Sequence, residues 1–248
     1  MNLSPWPYPR WIAHRGAGKL APENTLAAFR LGAAHGYRMF ECDVKLSADG
    51  LPFLLHDATL ERTSSGQGTA SALAWQALSQ LDAGGWHSRA FAGEPLPTLT
   101  AIAAFVQAQQ ARLNIEIKPT PGDELNTGRV VAAHAAQLWA GQSVPPLLSS
   151  FRVEALQSAQ QTAPHLPRAL LLDSLWDGWA DSARQLGVVA IVTHHRLMDA
   201  ALQDQARQSG WRCLCYTVNE PADAQRLLAL GVDGLITDAV DRFAPAAD

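Results

Sequence analysis

The chain is predicted to be an α/β protein that closes as a (β/α)8, or TIM, barrel, and three observations carry that prediction. Short apolar runs recur from end to end, several nearly continuous in Val, Ile and Leu, as in parallel strands buried on both faces. Amphipathic stretches with apolar residues three and four apart separate them. The length, 248 residues, matches the roughly 250 that such a barrel uses as one unit.

Taken in order, Trp11–His14 is the first strand and Thr25–His35 the first helix, stopped by Gly36, a good helix end. Met39–Lys45 is the second strand. Leu51–Leu55 follows too soon for a parallel crossover, which takes about a dozen residues or more. Asp49–Gly50 is a favoured two-residue hairpin turn. The stretch therefore reads as an antiparallel excursion that brings His56 back opposite Asp43, give or take a residue. From Ala58 to Pro97 the pattern degrades: Ser, Gly, Trp and Pro are frequent, and SSGQG at 64–68 is a loop signal. About forty residues make a marginal core alone. Residues 58–97 thus read as a small insertion after the hairpin, over one end of a barrel that takes the whole chain, 1–248, as one domain. The strands Leu113–Lys118, Leu147–Ser150, Ala169–Leu172, Val188–Thr193, Cys213–Val218 and Gly234–Thr237 follow. Between them lie helices over Leu125–Trp139, Val153–Ala163, Trp179–Leu186, Met198–Ser209 and Ala222–Leu230, with Thr100–Ala111 ahead of the third strand. Eight strands separated by helices is the arithmetic of a closed barrel.

Bulk composition removes several function classes. Net charge is −4 and the pI about 6.0, so no basic field points to nucleic acid. No apolar run approaches the roughly 20 residues of a membrane helix, and no stable membrane association is expected. The opening MNLSPWPYPRW has three prolines and no apolar stretch after a basic start, unlike a signal peptide. Cys42, Cys213 and Cys215 are odd in number and fall in buried strands, which predicts free thiols and a cytoplasmic location.

The chemistry gathers at strand ends, where such a barrel places its active site. Glu41 and Asp43 lie two residues apart in an extended segment and so point the same way. Charges on an exposed edge strand would be ordinary, but the Met, Phe, Cys and Val around them argue for a buried central strand. There, paired carboxylates are costly unless a cation joins them. Glu116 and Lys118 in NIEIKP repeat that alternation. Three carboxylates from two strands make a hard-oxygen site suited to Mg²⁺, Mn²⁺ or Ca²⁺. Arg15 and Lys118 are groups that hold an anion, so a cation beside them reads as a phosphoryl site. His14 and His56 are the nearby side chains that trade protons near neutral pH. Other candidates read as structural: His194 and His195 are adjacent and point to opposite faces, and Cys213-x-Cys215 lacks the second pair that zinc wants. Asp238 reads two ways, as a tie within the pocket or as a cap on a final helix.

HRGAGKLAPENTLAAF (14–29), ECDVKLSADGLPFLLHDATLERT (41–63), NIEIKP (114–119), LLSSF (147–151), YTVN (216–219) and GVDGLITD (231–238) resemble, in order, the motifs of the glycerophosphodiester phosphodiesterases. LPFLLHD, GEPLPTL (93–99) and 137–151 resemble the family's cytoplasmic bacterial enzymes associated with glycerol-3-phosphate uptake. The resemblance implies metal-dependent hydrolysis of a small glycerophosphodiester to sn-glycerol 3-phosphate and an alcohol. It puts the metal on Glu41, Asp43 and Glu116, acid–base work on His14 and His56, and phosphate contacts on Arg15 and Lys118. Many members have Trp where this chain has Tyr216. The alternative is a related phosphodiesterase or lyase acting on lysophospholipid or phosphoinositide. The insertion offers Trp75, Trp86 and Phe91 to such a surface but few basic residues, which favours soluble substrates.

Overall fold

The structure, a computed structural model, describes residues 5–243 and 245, so the reading of the first four residues lies outside the described ones. β1 (Trp11–Ala13) leads through α1 (Leu26–Ala34) to β2 (Met39–Leu46) and β3 (Pro52–Leu54). α2 (Trp75–Leu78) and α3 (Leu99–Ala108) precede β4 (Arg112–Ile117). From there helix and strand alternate: α4 (Glu124–Leu138), β5 (Leu147–Ser150), α5 (Val153–Thr162), β6 (Arg168–Leu172), α6 (Trp179–Gln185), β7 (Ala190–His194), α7 (Ala200–Gln208), β8 (Arg212–Tyr216), α8 (Pro221–Leu230) and β9 (Gly234–Thr237).

Helix ends follow local chemistry. The hydroxyls of Thr25 and Thr98 accept the N–H groups of Ala28 and Ala101 at 3.2 and 3.1 Å and start α1 and α3. Asp199 caps α7 through Leu202 N at 2.8 Å. Pro221 opens α8, where its missing N–H costs nothing, and Gly231, at φ 79°, closes it.

Every strand except β3 pairs in parallel around a ring, and β9 returns to β1 with Trp11 beside Leu235 and Ala13 beside Thr237. The barrel is closed, as its apolar runs predict. One set of alternating side chains packs outward against the helices, with the Phe29, Phe40 and Phe105 rings at 5.1–6.5 Å from one another. The other set points inward. Toward the strand starts it is apolar: Ile12, Met39, Leu147, Ala169, Leu214 and Ile236 fill the barrel. Toward the strand ends it turns polar, with Glu41, Asp43, Asn114 and Glu116 buried at the inner surface.

Two details of the expected layout shift. β3 pairs antiparallel to β2 with Val44 beside Leu54 and Leu46 beside Pro52. The connecting turn runs Ser47–Leu51, closed by Ser47 N–H to Leu51 O at 3.1 Å with Gly50 at φ 78°. It is therefore longer than the two-residue Asp49–Gly50 turn, so Leu55 stands opposite Asp43, bonding its carbonyl at 3.1 Å, and His56 lies one residue beyond. β7 begins at Ala190, not Val188, because Val188 N–H bonds back to Ala183 O in the turn out of α6.

Residues 58–97 hold α2 and two short 3₁₀ turns, at Ala70–Ala72 and Arg89–Phe91. Leu60, Ala70, Leu78, Ala83 and Leu96 pack on Phe53 and Leu55 of the hairpin. Glu94 accepts the Ala27 N–H at 2.9 Å and His87 Nε2 meets Lys19 O at 3.0 Å, tying the segment to the first turn of α1 and to the β1–α1 loop.

Candidate active site

The two histidines are held in the same manner, one after β1 and one after β3, the strands that both pair with β2. His14 follows β1, and its Nδ1 lies 2.6 Å from Asp238 Oδ1. Asp238 is fixed by Asn219, which accepts the Asp238 N–H at 2.8 Å and donates to Oδ2 at 3.2 Å. Gly18 makes this approach possible: at φ 56°, a Cβ there would sit 2.1 Å from the Asp238 backbone. His56 follows the hairpin, and its Nδ1 lies 2.6 Å from Asp57 Oδ1. Arg62 grips Asp57 on one side and Glu23 on the other. A carboxylate only accepts, so each Nδ1 carries the hydrogen and each Nε2 is left for the cavity. His14 Nε2 is 3.7 Å from Glu41 Oε2; His56 Nε2 is 2.9 Å from Lys118 Nζ.

Between them, β2 and β4 bring Glu41, Asp43 and Glu116 together, one oxygen from each within 4.8 Å of the others. Register explains the meeting, since Asp43 stands beside Glu116 across the β2–β4 ladder. Arg15, at φ 51°, turns its backbone N–H onto Glu41 Oε2 at 3.1 Å. Its guanidinium lies 3.2 Å from Asp43 and 2.8 Å from Glu23. Lys118 Nζ lies 2.9 Å from Glu116 and 3.4 Å from Asp43. Asn24, also left-handed at φ 59°, donates to Asp43 Oδ2 at 2.8 Å and accepts the Asp43 N–H at 3.1 Å.

Electrostatics divide the three acids. Burial raises the Glu41 pKa well above the carboxylate range, and Asp43 and Glu116 add to it. Burial, then Asp43, pushes Glu116 up to about 7. Burial opposes ionisation of Asp43 too, but Arg15 and Lys118 outweigh it and hold its carboxyl well below the usual range. Crowded, desolvated acids that resist sharing their charge fit a cation seat. Glu41 Oε1 supplies a second sign, being buried without a hydrogen-bond partner among the described residues. The donor set therefore fits a divalent ion bound by oxygen.

All seven residues singled out from the sequence converge here. His14, Arg15, Glu41, His56, Glu116 and Lys118 line one cavity of about 170 Å³, with Asp43 buried behind them. A larger space of about 580 Å³ adjoins it past His56 and Lys118, bordered by Phe151, Arg152, Asp173 and Trp176. The orienting partners Glu23, Asn24, Asp57, Arg62 and Asn219 escape sequence reasoning. The available signal was chemical: each imidazole needs an acceptor for Nδ1, and Asp57 is adjacent to His56. Asp238 resolves as the pocket tie, and no helix follows it among the described residues. His195 turns away to Asp223 at 3.4 Å and His194 stacks edge-on to Tyr216. Cys42, Cys213 and Cys215 are free and buried.

Fold and site together define a (β/α)8 enzyme whose pocket combines three clustered acids, two cationic side chains and two oriented imidazoles. Residues 14–242 match the Glycerophosphoryl diester phosphodiesterase family, and the chain belongs to that family. The glycerophosphodiester phosphodiesterase of Caldanaerobacter subterraneus subsp. tengcongensis is 32% identical over 232 residues, covering 92% of this chain and 93% of the relative. Among solved structures, an Oleispira antarctica phosphodiesterase in complex with the product sn-glycerol-3-phosphate is 32% identical, with a TM-score of 0.88 over 95% of each chain. A glycerophosphodiester phosphodiesterase from Agrobacterium tumefaciens is 28% identical, with a TM-score of 0.80 over 95% of this chain and 99% of that one. Among the described residues no helix is long and apolar enough to cross a membrane.

Proposed function

We propose that the chain, acting as one catalytic domain in the cytoplasm, hydrolyses small glycerophosphodiesters to sn-glycerol 3-phosphate and an alcohol with the help of a divalent cation, Mg²⁺ foremost. One observation carries the reading: two imidazoles, each with Nδ1 on a carboxylate, present Nε2 to a cavity that also holds three clustered acids, Arg15 and Lys118. The product seen in the Oleispira relative supports the same substrate class. Buried free thiols suit a reducing compartment.

Glu41, Asp43 and Glu116 would hold the cation, which when bound supplies positive charge to a phosphoryl oxygen. Arg15 and Lys118 bind the remaining phosphoryl oxygens and stabilise the charge that builds there. Burial lowers the His56 pKa; Asp43 opposes this, while Arg15 and Lys118 reinforce it. His56 therefore begins the cycle neutral and accepts the nucleophile's proton at Nε2. His14, oriented by Asp238 at Nδ1, gives a proton to the leaving alcohol. The nucleophile is water or the substrate's own glycerol hydroxyl, and phosphorus NMR of the turnover mixture separates the routes by the presence of a cyclic phosphate.

The deciding experiment is glycerol 3-phosphate release from a panel of glycerophosphodiesters and lysophospholipids, with and without Mg²⁺, Mn²⁺ or Ca²⁺. His14→Ala and His56→Ala should each lower kcat by roughly 10²–10⁴ with unchanged thermal melting. Full activity in either variant overturns the assignment, and turnover of lysophospholipids alone overturns the substrate class.

A further inference from the structure

Below the cation seat the cavity ends in an amide that the protein leaves unused. Asn114, on β4 two residues before Glu116, is 1% exposed, and neither its Oδ1 nor its Nδ2 has a hydrogen-bond partner among the described residues. It lines the same cavity as the histidines. It stands beside Glu41 on β2 and Leu147 on β5. Leu171 and Ile236 add apolar wall to the same cavity. A primary amide offers two donors and an acceptor with two lone pairs, and burying it unpaired forfeits the water it could have bonded. An apolar side chain of similar volume would avoid that penalty. The penalty is relieved when a polar group enters the cavity.

We propose that Asn114 is the floor contact for the substrate's glycerol and bonds the hydroxyl farthest from phosphorus. The proposal rests on the phosphodiesterase reading above and deepens it. Depth selects the partner. Lys118, which holds phosphate, lies toward the mouth, and Asn114 is four residues below it, about 13 Å along the strand at roughly 3.3 Å per residue. Long cationic side chains close much of that gap from above, and a three-carbon polyol esterified to phosphate spans what is left. A hydroxyl both donates and accepts, matching the amide's Oδ1 and Nδ2 together, which a phosphoryl oxygen cannot do. Volume agrees: about 170 Å³ is room for several waters at about 30 Å³ each, or for a glycerol backbone. The more varied alcohol has the adjoining larger space.

The test compares sn-glycerophosphocholine with its 1,2-propanediol counterpart, which lacks only that terminal hydroxyl and keeps the one next to the ester. Wild type should prefer the glycerol ester by roughly ten- to a hundredfold in kcat/KM, as expected when a buried polar group loses its partner. In Asn114→Leu the preference should collapse to within about threefold, chiefly through KM for the glycerol ester, with the half-activating Mg²⁺ concentration unchanged. Ligand-free Asn114→Leu should melt no lower than wild type, and sn-glycerol 3-phosphate should raise its melting temperature less. Preference surviving in Asn114→Leu overturns the proposal. So does an equal fall on both esters with a raised Mg²⁺ requirement, which would give the amide to the cation or its water. If Asn114→Leu does not fold, Asn114→Ser and Asn114→Ala carry the same comparison. Wild type inactive on every glycerophosphodiester would instead overturn the functional reading beneath.

Discussion

His14 and His56 come from separate segments of the chain, yet each reaches the cavity with Nδ1 held by a carboxylate at 2.6 Å. Holding that nitrogen fixes the ring plane and the tautomer, so a neutral substitute at the carboxylate should disturb chemistry more than packing. Asp238→Asn and Asp57→Asn are expected to lower kcat by roughly 10–100-fold while substrate affinity stays within a few-fold. Steady-state kinetics on one glycerophosphodiester checks this, and an unchanged kcat would make these carboxylates spectators. Asp57 is itself held down to about 2, first by its hydrogen bonds from Arg62, so it remains an acceptor across the working range. Arg15 shows residue-scale strain put to use: its left-handed φ of 51° is what points its N–H at Glu41 while its side chain reaches Asp43.

Among elements, the connections after β1 and β9 are as important as the strands. The β1–α1 loop carries His14, Arg15, Glu23 and Asn24, and it packs against the residue that orients His14. Gly18 is the point of contact: its φ of 56° disfavours a side chain and the Asp238 backbone leaves no room for one. Gly18→Ala should cost at least about 1–3 kcal/mol by urea denaturation and should reduce kcat as well, since it pushes Asp238 off the imidazole. Loss of stability with full activity would show that the loop and the histidine are independent. The β2–β3 hairpin does the corresponding work for His56. Its five-residue turn, not a two-residue one, sets the register that places His56 beyond Leu55 and beside Lys118.

Over the whole molecule, the barrel gathers negative charge at one end of its interior, and the sign of the resulting pH dependence can be worked out. Glu41 and Glu116 have raised pKa values in the fold, so between the ordinary carboxylate range and about 7 the folded state binds more protons than the unfolded one. In metal-free protein these two acids should therefore cost stability as pH rises from about 4.5 through 7, against the opposite contribution of His56, whose pKa burial lowers. Mg²⁺ or Mn²⁺ should restore it, by more at higher pH, because a cation binds the ionised acids. Melting curves from pH 5 to 8 with EDTA and with excess cation test this, and a cation effect that ignores pH would argue against the seat. The strand count, the helix stop at Gly36, the hairpin and the seven side chains that meet at the cavity were legible in the sequence, because each depends on spacing along one segment. Alternation alone shows that Glu41 with Asp43, and Glu116 with Lys118, share a face. Spacing is silent on partners from other segments: that Asp238 meets His14, that Arg62 joins Asp57 to Glu23, and that Asn114 faces the cavity without a partner among the described residues depend on ring closure and on register between strands. Local periodicity determined which groups this protein has to work with. Closure of the sheet decided which of them touch, since distances between segments far apart in the chain are set by the packing of the whole barrel.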